Sequence, residues 1–312
     1  MIKGVPQGSI LGPLLFCLFI NDLPLHISNQ EVSCELFADD GTLHTPDMDI
    51  DNINFRLQQS VMEVEHWCKN NAMLLNPDKT ECMVLATRQK HQLGLSPLNL
   101  LIDGRKINQV QEHRLLGLIV DNQFQWEAHV TYLCKIISRN LFLLKRLKYL
   151  TDSNTRKIFF NAHIRSHIDY ASTVWDDCSD VRLKRLDSLY RRAAKLVLPD
   201  PHLTTAEKMK QLEILPLSTH LHFNKGTLMY KVLNNKLPMY LSTLFTKSVL
   251  NDVRSTTRLL LPRPRIDTYK TSLSFSGALL WNSLPANVRA AGTLTSFKDN
   301  LFRYLVLSSA IT

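Results

Sequence analysis

The chain has 312 residues, with 37 Lys and Arg against 28 Asp and Glu for a net charge of +9, and it is 45% apolar and 21% charged. These are ordinary globular values, so fibrous, collagen-like and disordered chains are excluded, and the length suits two domains or one domain with a large appendage. Six well-separated cysteines with no CxxC pair indicate neither a disulfide framework nor a zinc ribbon, and a reducing compartment is the default. The charge is uneven. Residues 1–92 hold 6 basic and 12 acidic side chains, a net of −6, while 93–312 hold 31 and 16, a net of +15. A strongly basic body fits either solvated surface or a polyanionic partner such as nucleic acid.

Met1-Ile2-Lys3 runs straight into Gly4-Val5-Pro6-Gln7-Gly8-Ser9, so an upstream part is expected to be missing. The apolar run from Ile10 to Ile20 covers roughly a third to a half of a bilayer as a helix and contains Gly12 and Pro13. It reads as a buried segment, with no targeting signal and no membrane partner. Further on, Asp39-Asp40-Gly41 lies between two short apolar stretches, and Asp-Gly there predicts a hairpin with a type I′ turn. Ile53, Leu57, Val61 and Cys68 recur at helical spacing, which predicts an amphipathic helix over 51–71.

Asn76-Pro77-Asp78 breaks that pattern, and Thr80 to Ala86 reads as a strand. A second hairpin is expected around Asp103-Gly104, then a buried strand over 115–120. From Gln125 the periodicity is helical. Val130, Leu133, Ile137, Leu141, Leu144 and Leu147 form one stripe, with basic residues on the other faces. More helices are expected over about 155–168, 180–198, 206–213, 219–234 and 295–307, with Arg258 to Ile266 as an extended linker.

Adjacent carboxylates on a strand point to opposite faces, so Asp39 and Asp40 can converge only where the backbone bends, as at a hairpin tip. Such a pair suits Mg²⁺, which takes one or two carboxylates and completes its shell with water and substrate phosphates. The same two residues are also favourable solvated turn residues. His163 and His167, at i and i+4, lack a companion glutamate or third ligand, and Trp67, Trp126, Trp175 and Trp281 sit among apolar neighbours that favour core positions.

Three ordered blocks carry a resemblance. Gly4-Val5-Pro6-Gln7-Gly8-Ser9-Ile10-Leu11-Gly12-Pro13-Leu14-Leu15-Phe16, then Leu36-Phe37-Ala38-Asp39-Asp40-Gly41-Thr42-Leu43, then Leu75-Asn76-Pro77-Asp78-Lys79-Thr80-Glu81, resemble the palm of a reverse transcriptase from a non-LTR (LINE-like) retrotransposon. His113-Arg114-Leu115-Leu116-Gly117-Leu118 extends the match, and Ile168 to Trp175 and Ala278 to Pro285 look like the region that follows the palm. The resemblance implies an α+β fold: a partial palm over 1–124 with a small antiparallel sheet and helices, a basic, mostly α-helical thumb- or connection-like region over 125–257, and a linker with a C-terminal extension over 258–312.

It also implies RNA-directed DNA polymerisation, with an RNA template, a DNA primer and deoxynucleotides as partners, two Mg²⁺ ions, and action inside the cell, in the nucleus. Asp39 and Asp40 would hold the metals, and Lys79 would assist the leaving pyrophosphate, although that position equally suits a surface lysine. Gly4, Pro6, Gln7 and Gly8 would line template and nucleotide. Phe37, where the family usually has tyrosine, would pack near the primer end. The family's third metal-binding aspartate lies upstream of the Gly-Val-Pro-Gln-Gly block and has no counterpart here. Asp22 and Asp47 match no such motif. The expectation is therefore an N-terminally truncated, impaired polymerase, with a catalytically inactive nucleic-acid-binding remnant as the alternative.

Overall fold

A computed structural model describes residues 8–248 and 258–309. The chain folds as two compact units, 1–113 and 114–312. The charge follows this division: the first unit carries a net −6 and the second a net +15.

In the first unit, Ser9 accepts from Gly12 N at 3.0 Å through its Oγ and opens α1, Gly12–Ile20, with Pro13 in its first turn. Two strands follow, β1 (Ser33–Phe37) and β2 (Asp40–His44), paired antiparallel. Next comes the long helix α2, Ile50–Asn70, whose N-terminus is capped by Asp49 accepting from Asp51 N at 3.0 Å. The rest is β3 (Glu81–Cys82), α3 (Arg88–Gln92), β4 (Leu101–Ile102), β5 (Arg105–Lys106) and β6 (Asn108–Gln109). Two apolar clusters hold this unit together. Val61 of α2 meets Leu98, Leu100, Ile102 and Ile107, while Trp67 and Cys68, one turn and a half further along, meet Ile20 and Leu23.

The chain enters the second unit through β7 (Glu112–Leu115) and β8 (Leu118–Asp121). Asp121 then accepts from the backbone N–H groups of Gln123, Gln125 and Trp126 at 3.1, 2.9 and 2.6 Å, which bends the chain into α4, Glu127–Leu147. After α4 come α5 (Ser153–Phe160), a π turn over Asn161–Arg165, α6 (Ser166–Asp169), α7 (Ser172–Trp175), α8 (Asp180–Val197), α9 (Thr205–Gln211) and α10 (Leu217–Leu233). α9 opens with a capping box, in which Thr204 and Glu207 satisfy each other's backbone N–H groups. The last helices are α11 (Met239–Ser242), α12 (Asp267–Lys270), α13 (Leu273–Ser283), α14 (Ala286–Arg289) and α15 (Leu294–Ser309).

Val130, Leu133, Ile137, Leu141 and Leu144 of α4 are all buried, in one cluster with Leu186, Tyr190, Ala193, Ala194 and Val197 of α8. Glu127 ties the same two helices at their ends, accepting from Arg182 at 2.7 Å and pairing with Arg185. Arg156, almost fully buried, donates to Val197 O at 2.9 Å and Lys148 O at 3.2 Å, so one guanidinium satisfies carbonyls at the C-terminal ends of α8 and α4. A second cluster gathers Met229 and Tyr230 of α10 with Trp281, Phe297 and Leu301 of α13 and α15. All four tryptophans are buried, as expected.

Several expectations are corrected. The Ile10 to Ile20 segment is a helix rather than a buried segment: Ile10 is 95% exposed, Leu11, Leu14, Leu15 and Leu18 are exposed, and only Gly12 and Ile20 are buried in the helix. Hydropathy records the preference of these side chains for an apolar environment, but the described residues cover only one edge of the helix. Residues 80–86 give only the two-residue strand β3, which pairs parallel with β6 and ends at the bond from Val110 N to Cys82 O at 2.9 Å. A short partner limits the ladder. The buried strand expected over 115–120 is instead the hairpin β7–β8, turned at Leu116 and Gly117 with φ of +45° and +87°. The pairings among the described residues are four separate two-stranded sheets, one of them parallel, and an isolated bridge between Lys247 and Leu259, rather than one small antiparallel sheet.

The helix expected over 155–168 contains the π turn, whose His163 carbonyl accepts from Asn140 of α4. Within the stretch read as a linker, Leu259 is buried and exchanges hydrogen bonds of 2.9 and 2.8 Å with the Asn282 side chain.

Ile137 is fully buried in the α4–α8 cluster, so Ile137→Ala should lower unfolding stability by about 2–5 kcal/mol, measured as a shift in the urea midpoint at constant slope. His129 is buried among Trp126, Tyr132 and Trp175, and this burial pulls its pKa down to about 4 from an ordinary value near 6.5. Between these values the unfolded chain binds a proton that the folded chain does not, so stability present above pH 6.5 is lost as pH falls towards 4. The unfolding free energy of the native chain minus that of His129→Phe should therefore fall by up to about 3 kcal/mol as pH drops over that range, read by denaturant titration at each pH.

Candidate functional site

The β1–β2 pairing runs from Ser33 opposite His44 to Phe37 opposite Asp40, which leaves Ala38 and Asp39 as the two-residue loop. The expected turn centred on Asp40-Gly41 is thus displaced. Ala38 takes φ +53°, the position at which a type II′ turn needs a positive angle, and Asp40 and Gly41 belong to the strand. In the observed register Gly41 lies opposite Leu36, whose Cδ2 would stand at an ordinary contact distance of 3.4 Å from a Cβ there, and Leu36 joins the cluster around Trp67. The glycine is a strand residue and does not supply the turn angle.

Asp39 and Asp40 therefore occupy the tip and the first strand position beside it, and both are exposed. Neither forms an ion pair with any described residue. By contrast Asp47, in the connection that follows, is committed: it pairs with Arg56 at 2.9 Å and accepts from Asp49 N at 2.8 Å, and that bond and the guanidinium hold its carboxyl below the usual range. Two adjacent uncommitted carboxylates fit a hard divalent cation that keeps water in its shell. Among the described residues, no third His, Cys, Asp or Glu joins them to complete a protein cage.

Phe37 stands next to the loop with its side chain 65% exposed, a large apolar ring at the tip of a two-stranded ribbon. Gly8 has φ +83° with open space where a Cβ would stand. Gly4, Pro6 and Gln7 lie outside the described residues. Lys79 closes the turn that begins at Asn76, whose Oδ1 accepts from Asp78 N at 3.0 Å and whose carbonyl accepts from Lys79 N at 3.2 Å. It is exposed and forms no ion pair with Asp39 or Asp40. The structure brings Phe37, Asp39 and Asp40 together on one hairpin. It places Lys79 on a separate exposed turn.

The second unit contains polar networks that spacing alone did not reveal. Asp169 accepts from His220 at 2.5 Å and from Asn224 at 2.9 Å, and Asn224 also donates to Ser172 at 3.2 Å. These partners hold the Asp169 carboxyl below its usual value against the opposing effect of burial. One turn on, Lys225 is buried with Nζ 2.9 Å from Asp176, 2.5 Å from Asp177 and 3.1 Å from Ser276. Burial pushes the Asp176 carboxyl up to about 7 although Lys225 opposes the shift. The residues from Ile168 to Trp175 thus anchor α10 to the α6–α7 corner. Tyr170 adds a hydrogen bond of 2.6 Å to Leu116 O, and its ring packs where Gly117 leaves 3.3 Å for a Cβ. The sequence carries little signal for these networks, since 220, 224 and 225 share their helix with other polar residues at 218, 219, 222, 227 and 231.

A shallow basic groove lies beside α4 and α8. Cys134 and Arg185 border two adjoining hollows of about 550 and 540 Å³, lined by Val181, Lys184, Ser188 and Leu189 on one side and by Thr131, Lys135, Ser138 and Arg139 on the other. No helix among the described residues is long and apolar enough to cross a membrane.

Residues 1–133 match the family model described as reverse transcriptase (RNA-dependent DNA polymerase). The chain is similar to the RNA-directed DNA polymerase from mobile element jockey of Drosophila melanogaster, 29% identical over 133 residues, 41% of this chain and 14% of that protein. It is similar to the probable RNA-directed DNA polymerase from transposon BS of the same species, 26% identical over 215 residues, 65% of this chain and 23% of that protein. A third relative is the retrovirus-related Pol polyprotein from type-1 retrotransposable element R1 of Bradysia coprophila, 25% identical over 202 residues, 63% of this chain and 19% of that protein. The chain therefore spans less than a quarter of the length of these relatives. No solved structure matches it significantly.

Removing Lys225 leaves two carboxylates facing each other without a cation, one of them buried. Lys225→Met should therefore cost about 3–5 kcal/mol of unfolding stability, and pairing it with Asp176→Asn should recover part of that loss, both read by urea titration.

Proposed function

On the premise that this chain is related to the reverse transcriptases of non-LTR retrotransposons, we propose that it is a section of an RNA-directed DNA polymerase, with its catalytic carboxylates at the β1–β2 tip. The observation that carries this reading is the pair Asp39 and Asp40, exposed and uncommitted at a hairpin tip inside the matched segment. In this proposal residues 1–124 form part of a palm, 125–257 a thumb- or connection-like region and 258–312 an extension. RNA template, DNA primer and deoxynucleotides are the partners, and nuclear DNA is the place of action.

Asp39 and Asp40 would hold Mg²⁺. Bound there, the ions supply charge stabilisation of the attacking 3′-oxygen and the leaving pyrophosphate. The two side chains orient that charge because the Ala38-Asp39 loop sets them on adjacent residues of a bent backbone. Phe37 offers its exposed ring to the terminal base pair of the primer. Gly8, with its positive φ and open Cβ side, allows close backbone approach of template or nucleotide, and Gly4, Pro6 and Gln7 belong to the same lining. Lys79 is proposed to neutralise the leaving pyrophosphate, its exposed turn leaving the long side chain free to reach a bound substrate.

A second reading has its own support. Since no third described side chain completes a metal cage, and the second unit carries a net +15, the chain by itself would be a weak catalyst or an inactive nucleic-acid binder. A site with two of its carboxylates positions ions poorly before phosphate arrives.

Primer extension on an RNA template with Mg²⁺ tests both readings. Low but measurable incorporation that falls at least about 100-fold in Asp39→Asn/Asp40→Asn, and disappears with chelator, supports the polymerase reading. Incorporation that survives the double substitution overturns the assignment of these carboxylates. Absence of incorporation together with steeply salt-dependent binding of primer–template favours the inactive binder.

A further inference from the structure

α4 presents two opposite faces. Val130, Leu133, Ile137, Leu141 and Leu144 go into the core, while Lys135, Arg139, Phe142 and Arg146, then Tyr149 in the turn that follows, recur every three or four residues along the far side. Every one of these five side chains is exposed, Phe142 at 56% and Tyr149 at 77%. At a rise of about 1.5 Å per residue the strip is roughly 21 Å long. Lys135, Arg139 and Arg146 form no ion pair with any described residue, whereas Arg182, Arg185 and Arg191 on α8 are held by Glu127 and Asp187. The Arg146 guanidinium lies 4.5 Å from the centre of the Phe142 ring, and Lys148 Nζ lies 5.4 Å from that of Tyr149. At its N-terminal end the strip runs into the basic groove, where Ser138 and Thr131 add hydroxyl groups.

Uncommitted cations alone would suit any polyanion. The rings narrow the choice. In a duplex the bases stack on one another and present only their edges in the grooves, so two exposed rings on the convex face of a helix find no base face to meet. Bases of an unpaired strand offer open π-faces, and a basic track with interleaved aromatics is how such strands are held without sequence preference. We propose that this face of α4 is a binding strip for an unpaired nucleic-acid strand, with phosphates on Lys135, Arg139 and Arg146 and bases against Phe142 and Tyr149. The proposal rests on reading the second unit as nucleic-acid binding and requires no catalysis at Asp39 and Asp40.

Fluorescence anisotropy with the full chain tests it, using labelled oligothymidylate and oligouridylate of about 20 nucleotides, a duplex of equal length and a salt series. Binding of either single strand more tightly than the duplex is expected. Phe142→Ala/Tyr149→Ala should weaken single-strand binding by about tenfold or more while leaving the salt slope unchanged, and Phe142→Leu/Tyr149→Leu, which keeps apolar bulk, should do the same. Phe142→Trp should retain affinity. Lys135→Ala/Arg139→Ala should reduce the slope of log affinity against log salt by about 1.4. Lys210→Ala/Lys236→Ala, exposed cations elsewhere, should leave both quantities as they are.

Ring variants that bind the strand as tightly as the unaltered chain would overturn the proposal, and so would duplex binding tighter than that of either strand. The Asp39→Asn/Asp40→Asn chain should bind the strands normally, so loss of the polymerase reading and loss of the strip give different results.

Discussion

Burial of one stripe of α4 against α8 sets the arrangement of the second unit. Val130, Leu133, Ile137, Leu141 and Leu144 meet Leu186, Tyr190, Ala193 and Val197, and removing the Val, Leu and Ile side chains from water contributes about 1.5–3 kcal/mol each. A helix has only one circumference. Once that stripe is inside, Lys135, Arg139, Phe142 and Arg146 must point to solvent. The clamp of Arg182 and Arg185 on Glu127 fixes the helices at one end, and Arg156 ties their C-terminal ends at the other. The outward face is thereby presented on a rigid element, which lowers the entropy lost when a ligand is bound.

Three two-residue turns show how far local chemistry reaches. Asp103-Gly104 takes φ of +47° and +73°, the type I′ geometry that Asp-Gly favours. Leu116-Gly117 uses the same pair of positive angles although leucine is poorly suited to the first, because Gly117 and the Leu116 carbonyl are both engaged by Tyr170. At Asp40-Gly41 the local preference loses altogether: Phe37 pairs with Asp40 and Leu36 with Gly41, and the turn moves to Ala38-Asp39. That displacement puts Asp39 in the loop and Asp40 at the start of the strand. Two neighbouring carboxylates consequently flank the tip with Phe37 beside them.

Polar groups do a different task in the second unit. Buried charges are tolerated only when paired and hydrogen-bonded, and the Asp176–Lys225–Asp177 and Asp169–His220–Asn224 groups meet that condition across elements about 50 residues apart in sequence. Apolar contacts accept many alternative alignments of α10, whereas these bonds accept one. The acidic first unit and basic second unit divide the charge, an excess of Asp and Glu in one and of Lys and Arg in the other.

By itself the sequence determined the helices α2, α4, α8 and α10 within a few residues, because apolar periodicity and breakers act locally. It also determined the core positions of the four tryptophans, the hairpin at Asp103-Gly104, the charge asymmetry and the block around Asp39-Asp40. Tertiary structure decided the rest. The register at the Asp39-Asp40 tip is a matter of which residues pair across the two strands, and the length of β3 depends on how much partner strand lies beside it. The exposure of α1 depends on what covers it, not on its hydropathy. The partners of Asp169 and Lys225 depend on contacts between elements distant in sequence. Each is a matter of what stands across from a residue in space, and no window of neighbouring letters contains it.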